Sequence, residues 1–359
     1  MAIVRVLSLN VFLRPPGIQE SNGDHKELRL EYIKRKIIQY DVVLLQEMFV
    51  ALSSRAASLI AHAHAHGLCY HAGSVYPSFF SPQLVDGGLL ILSRFPICKA
   101  AVHRFSVGCG SDGLASKGVV FAQVQVVPNN PRALVNLFTT HTQAGIRKDA
   151  TDIRWRQILE LARFVRTHGH PEIPALVGGD FNLDARHDVD FVDDDAPAFS
   201  KCPESLLYKE VVRVLSDDGR VTVRDVQPGH GVTNANGHGV LCHTWPDEMV
   251  ESVGKCIDYL FLLVGKQAVT ILDAAVDRCE IKVDGGETPR PLPITHLSDH
   301  WGLTATLEFA FPHAQHALNY DHVAFEHASL WMLKATLLFL LLAGFVVAVA
   351  MTILMSVLF

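Results

Sequence analysis

The sequence has no C-x-x-C pair, and its seven cysteines, at 69, 98, 109, 202, 242, 256 and 279, are scattered and odd in number. That argues against a disulfide framework and fits a reducing compartment. Positive charge is also short: 31 Lys and Arg stand against 37 Asp and Glu, a net charge of −6. A protein held to nucleic acid by many phosphate contacts needs a basic surface, so no nucleic-acid partner is expected. The first residues lack the basic n-region and long apolar core of a secretory leader. Ile3, Val4, Val6, Leu7 and Leu9 read as a strand instead. His62, His64 and His66 alternate with alanine, and the 62/66 spacing puts two on one helical face, but the glutamate of an H-E-x-x-H zinc helix is missing. The aspartate-rich run 184–203 lacks the glycine and closing glutamate of a calcium loop, so a solvated loop is expected there.

What the sequence does have is a series of apolar runs that each stop on a polar side chain. Ile173–Val177 leads into Gly178-Gly179-Asp180-Phe181-Asn182. Asp180 and Asn182 are two apart and would point the same way along an extended segment. The bare glycine backbone leaves room for a bulky phosphate. Leu7–Leu9 stops at Asn10, and Leu134–Thr140 stops at His141. Val42–Leu45, four apolar residues in a row, reads as a strand buried on both faces that ends near Glu47. A carboxylate so close to a core needs a partner or a metal, and Mg²⁺ is commonly held by one or two carboxylates. Asp258 lies inside the apolar run Cys256–Leu262 and needs a partner too. Asp299 and His300 precede a last strand, Leu303–Phe309. Neighbours in a strand diverge, so the carboxylate that orients His300 is expected to be Asp258 or Asp180. A glycine-rich loop carries Asp112 and Lys117, which can pair in one state and part in another, freeing Lys117 to meet a phosphate. Together these groups suit metal-assisted phosphodiester hydrolysis, in which His300 takes a proton from water.

Helices are expected beyond Asp24 (stripe Leu30, Ile33, Ile37), over Ser53–His66, over Asp149–His168 and over Glu204–Leu215. The proline-bracketed aromatic loop Tyr76–Pro82 is a candidate for contact with a bilayer. Residues 335–359 carry no charge, and as a helix would reach ~37 Å, enough for a ~30 Å hydrocarbon core.

The motifs LSLN, LLQE, TTHTQA, GGDFNLD, CIDYLF and LSDHWG, in that order over residues 1 to about 310, resemble the endonuclease/exonuclease/phosphatase superfamily. Gly87–Ile97, Lys117-Gly118 and Thr140–Ala144 are similar to the neutral sphingomyelinase branch, which includes phospholipases C acting on inositol phosphosphingolipids. The resemblance implies an α/β, four-layer sandwich: two mixed β-sheets packed face to face with flanking helices. It implies Glu47 as the Mg²⁺ ligand with Asn10 beside it, and Asp180 and Asn182 positioning water and phosphate. His141 and Lys117 would contact the phosphate, and His300 would be the base, with Asp258 and Asp299 in the catalytic set. The substrate would be a membrane sphingolipid, cleaved to ceramide and a phosphorylated head group. A Mg²⁺-dependent nuclease or other phosphodiesterase of the same superfamily is the alternative. The Trp-Cys-Asp-Arg stretch of an inositol polyphosphate 5-phosphatase is absent. The expected organisation is a catalytic domain over 1–310, a linker over 311–334 and a transmembrane helix over 335–359. That helix would be a single-pass C-terminal anchor, leaving the catalytic domain facing the cytosol.

Overall fold

Alternation of the buried side chains decides the architecture. The computed structural model describes residues 1–18, 24–78, 80–193, 195–227, 229–235, 253–281 and 292–311. In chain order the elements are β1 (Ala2–Leu13), α1 (Lys26–Ile37), β2 (Val42–Met48), α2 (Arg55–Ala65), β3 (Tyr70–Gly73), β4 (Leu90–Ser93) and β5 (Ile97–Arg104). After a short 3-10 turn (Gly110–Leu114) come β6 (Gly118–Gln125), β7 (Leu134–His141), α3 (Lys148–His168), β8 (Ala175–Asp180), β9 (His187–Asp193), β10 (Ala196–Lys201) and α4 (Leu206–Leu215). The last elements are β11 (Thr222–Asp225), β12 (Asp258–Val264), β13 (Val269–Asp277) and β14 (Gly302–Phe309).

One six-stranded sheet runs β13-β14-β1-β2-β4-β3 and the other β11-β12-β8-β7-β6-β5. Each is mixed: β1–β2 is parallel in the first and β7–β8 in the second, and the other pairings are antiparallel. Val4, Val6, Leu44, Leu176, Leu260 and Leu262 point into the layer between the sheets. Their neighbours Leu7, Leu9, Val43 and Leu45 point outward under α1 and α2, and Val177, Phe261 and Leu263 point outward under α3 and α4. This period of two, with helical stripes Leu30/Ile33/Ile37 and Ile158/Leu161/Val165 covering the outer faces, makes the helix–sheet–sheet–helix sandwich that the sequence leads one to expect.

Three expectations change. The 184–203 run is not a plain loop. Asp188 and Asp190 alternate with Val189 and Phe191, and β9 pairs antiparallel with β10 as a two-stranded ribbon. The glycines before Asp180 serve packing rather than ligand approach. A Cβ on Gly178 would sit 2.8 Å from the Leu44 side chain of the facing sheet, and one on Gly179 (φ +148°) 2.0 Å from the Thr140 carbonyl. The expected anchor is corrected as well. Among the described residues no helix is long and apolar enough to cross a membrane. The longest, α3, buries one stripe and carries charges such as Asp152, Arg156 and Arg163 along its length. Residues 312–334 and 335–359, which hold nearly all of the expected linker and the whole anchor, lie outside the described residues.

Candidate active site

Parallel pairing brings the polar strand ends to one edge. Asn10 on β1 is level with Gln46 on β2, so Glu47 follows directly beside it. On the other sheet His141, Asp180 and Asp258 stand in one row across β7, β8 and β12. The two sheets meet through Asn10, whose Nδ2 donates to Glu47 Oε1 and to Asp180 Oδ2, both at 3.1 Å. Gln46 Nε2 adds a second link, donating to Thr139 Oγ1 at 2.9 Å. Asn10, Lys117, His141, Asp180, Asp258 and His300 are all buried, and Glu47, Asn182 and Asp299 are half-buried.

Strand-end side chains hold their own turns. Asn10 Oδ1 accepts from the Phe12 amide at 3.1 Å, and Asp180 Oδ1 from the Asn182 amide at 2.9 Å. Phe12, Glu47 and Asn182 take positive φ values of 52°, 57° and 49°, a region non-glycine residues seldom occupy. Because Asn182 is left-handed rather than extended, it does not simply point alongside Asp180. Its Nδ2 donates to the Thr142 carbonyl at 3.1 Å. Asp86 fixes the turn after Glu47, accepting from the amides of Val50 (3.0 Å), Ala51 (3.1 Å) and Gly88 (2.9 Å).

His300 Nδ1 lies 3.0 and 2.9 Å from the two Asp258 oxygens, and its Nε2 lies 3.7 Å from Asp180 Oδ2. Of the two carboxylates the sequence left open, Asp258 is the one that orients the ring. Asp299 instead accepts from Ser298 Oγ at 3.2 Å and stands near enough to act electrostatically on Glu47. Thr233 completes the pair: its Oγ1 donates to Asp258 Oδ2 at 2.8 Å while accepting from the amides of Ile257 and Asp258 at 3.0 Å. Neither Thr233 nor Asp86 stands out in the sequence as a site residue. Thr233 sits in a turn-rich stretch, and Asp86 looks like the opening of an ordinary glycine turn.

Charge in the site is unevenly balanced. Burial alone would lower the His300 pKa, but Asp258 and Asp180 more than offset it and hold it well above an ordinary histidine. Burial, followed by the charge of Lys117, pushes His141 down to about 4. Lys117 Nζ lies 2.9 Å from His141 Nε2, so the ring accepts there and is neutral. The same ammonium donates to Asp112 Oδ2 at 2.6 Å and to the Thr142 carbonyl at 2.8 Å, so the loop pair is closed here. Burial opposes ionisation of Asp180, yet His141, His300 and Lys117 hold its pKa below the usual carboxylate value. Glu47 is the opposite case: burial, with Asp299 adding to it, pushes it up to about 7.

A cation would relieve that imbalance. Glu47 Oε2 is buried with no hydrogen-bond partner, and a hard oxygen donor in that state fits Mg²⁺ chemistry. Asp180, Asp258 and His300 also offer ligand atoms within 4.8 Å of one another. Asp258, however, already bonds His300 and Thr233, which leaves it less free than Glu47 to take an ion.

Residues 7–300 match the Endonuclease/Exonuclease/phosphatase family. A sphingomyelinase of Dictyostelium discoideum is 31% identical over 201 residues, covering 48% of this chain and 43% of that protein. Sphingomyelinase C of Bacillus cereus is 27% identical over 197 residues, covering 50% of this chain and 57% of that one. Among solved structures, a mutant beta toxin from Staphylococcus aureus with bound magnesium ions shares the fold. It has a TM-score of 0.56 at 20% identity, over 84% of this chain and 98% of that one. The chain thus spans about half the length of the curated relatives it matches.

Proposed function

This chain belongs to the endonuclease/exonuclease/phosphatase family, and on that premise we propose that it is a phosphoric diester hydrolase, a Mg²⁺-dependent phospholipase C of the sphingomyelinase type. The observation that carries the reading is the buried Asp258–His300–Asp180 unit, joined through Asn10 to a Glu47 carboxylate with one oxygen unpartnered. In its neutral form His300 Nε2 takes a proton from water. The water oxygen bonds to phosphorus, the bond to the ceramide oxygen breaks, and that oxygen leaves with a proton drawn from solvent while His300 returns its own to solvent. Asp258 fixes the ring through Nδ1 and stabilises the imidazolium that forms, and Thr233 keeps Asp258 turned toward it. Asn182, His141 and Lys117 would meet the phosphoryl oxygens, Lys117 after release from Asp112. Glu47 would hold the cation, with Asn10 fixing its carboxylate. When bound, that cation supplies positive charge to the developing phosphoryl oxygens.

The choice of a sphingolipid over nucleic acid rests on the names of the relatives, the net charge of −6 and an apolar surface. Tyr76, Phe80, Leu84 and Leu114 are exposed. Leu84 is tied to Leu114 by a 2.7 Å backbone bond, with the Tyr76 hydroxyl 3.4 Å from the Leu84 carbonyl. Through Leu114 the Tyr76–Leu84 segment reaches the loop that carries Asp112 and Lys117, where a bilayer surface would present its lipid. The test is hydrolysis of sphingomyelin, an inositol phosphosphingolipid and abasic DNA, each with Mg²⁺ and with chelator. Sphingolipid cleavage that chelator abolishes is expected, and cleavage of DNA alone would overturn the proposal.

A further inference from the structure

We propose that Arg154 is a positioning residue, a buried fork that holds the two strand ends carrying His141 and Asp180 in register. The proposal rests on reading this edge as a phosphodiesterase site. Arg154 lies on the inward stripe of α3, one turn before Ile158, where an apolar residue would pack without charge. Its guanidinium is buried, and among the described residues no carboxylate forms an ion pair with it. Nη1 donates to the carbonyls of Gln143 (3.2 Å), Gly145 (3.0 Å) and Asn182, and Nη2 to Gly145 (3.0 Å) and Thr151 Oγ1 (3.1 Å). Burial lowers its pKa to about 10, so the side chain stays charged at neutral pH.

A cation buried against carbonyls is costly, and its geometry shows what it gains. Gln143 and Gly145 follow β7, and Asn182 follows β8. One planar group therefore spans both connections that leave the parallel pair. The Thr142 carbonyl, inside the clamped segment, accepts from both Asn182 Nδ2 (3.1 Å) and Lys117 Nζ (2.8 Å). Fixing that segment and the left-handed Asn182 backbone fixes where both phosphate-facing side chains start from. A lysine at 154 would keep the charge but could not fork across several carbonyls.

The experiment compares the full chain with Arg154→Lys and Arg154→Met by hydrogen exchange, thermal unfolding and steady-state kinetics. The amides to watch are Thr142, which donates to the Asp180 carbonyl, and Asn182, which donates to Asp180 Oδ1. In Arg154→Lys, exchange over 142–145 and 181–184 should accelerate by about tenfold or more while β1 and β2 stay unchanged. The kcat should fall by about thirtyfold with KM within about threefold. If Arg154→Met does not fold, Arg154→Lys alone decides. Full kcat in Arg154→Lys, or exchange that rises evenly along the chain with loss of stability, would overturn the proposal. The exchange arm needs no substrate, so a wild-type protein inactive on sphingolipids would refute the function without touching the clamp.

Discussion

At the scale of single residues, Asn10 and Asp180 each divide their polar atoms between two tasks. One oxygen holds the residue's own turn, and the other atom faces the site. Sequence patterning shows such residues as terminators of apolar runs, because that position is local information. It narrows partnership without settling it: Asp258 and Asp180 both stand open there as the carboxylate for His300. His300 and Asp258 are 42 residues apart and Thr233 is 25 from Asp258, and nothing in the intervening chain chooses between the two carboxylates. The pairing has a kinetic consequence. As the proposed base, His300 must be neutral to accept a proton, and its carboxylate neighbours, outweighing burial, hold its pKa above 6.5. The rate should therefore climb with pH through a limb lying above that value. Asp258→Asn removes the largest favourable charge, so the limb should move to lower pH while kcat falls by about 10²- to 10⁴-fold. A pH–rate series on both proteins checks this, and an unmoved limb would dissociate Asp258 from the base.

At the scale of elements, most of the fold was readable because strand alternation and helical stripes are short-range signals. The β9–β10 ribbon was not, since its aspartates mask a period-two pattern that buries little. The reason for the glycines at the end of β8 was hidden too, because it lies in the neighbouring strand and the facing sheet. Gly179 is the stricter of the two: its φ of +148° and the 2.0 Å approach of the Thr140 carbonyl leave no room for a methyl group. Gly179→Ala should cost about 3 kcal/mol by forcing β7 and β8 apart. Urea denaturation measures it, and a midpoint equal to wild type would show that the strand end relaxes freely.

At the scale of the whole molecule, each sheet contributes one parallel pair to the same edge, so the site belongs to neither sheet alone. Phe80 (93% exposed) lies on the same 76–84 segment as Leu84, whose amide bonds the Leu114 carbonyl of the Lys117 loop. If it meets lipid, Phe80→Ser should lower turnover of sphingomyelin in vesicles by about fivefold or more and leave a water-soluble short-chain analogue unaffected. Equal losses on both substrates would count against contact with a surface.

The pairing of β14 with β1 (Ala2 level with Phe309, Ser8 level with Leu303) joins the first and last strands, in chain order, of the first sheet. His300 arrives on the last connection before that strand, whereas Asn10 and Glu47 are among the first site residues to be synthesised. During translation Asn10 and Glu47 exist without the proposed base until about 250 further residues have emerged after Glu47. A nascent or truncated chain ending before His300 would leave β1 without β14 as a neighbouring strand and, on the proposed mechanism, should lack hydrolytic activity altogether.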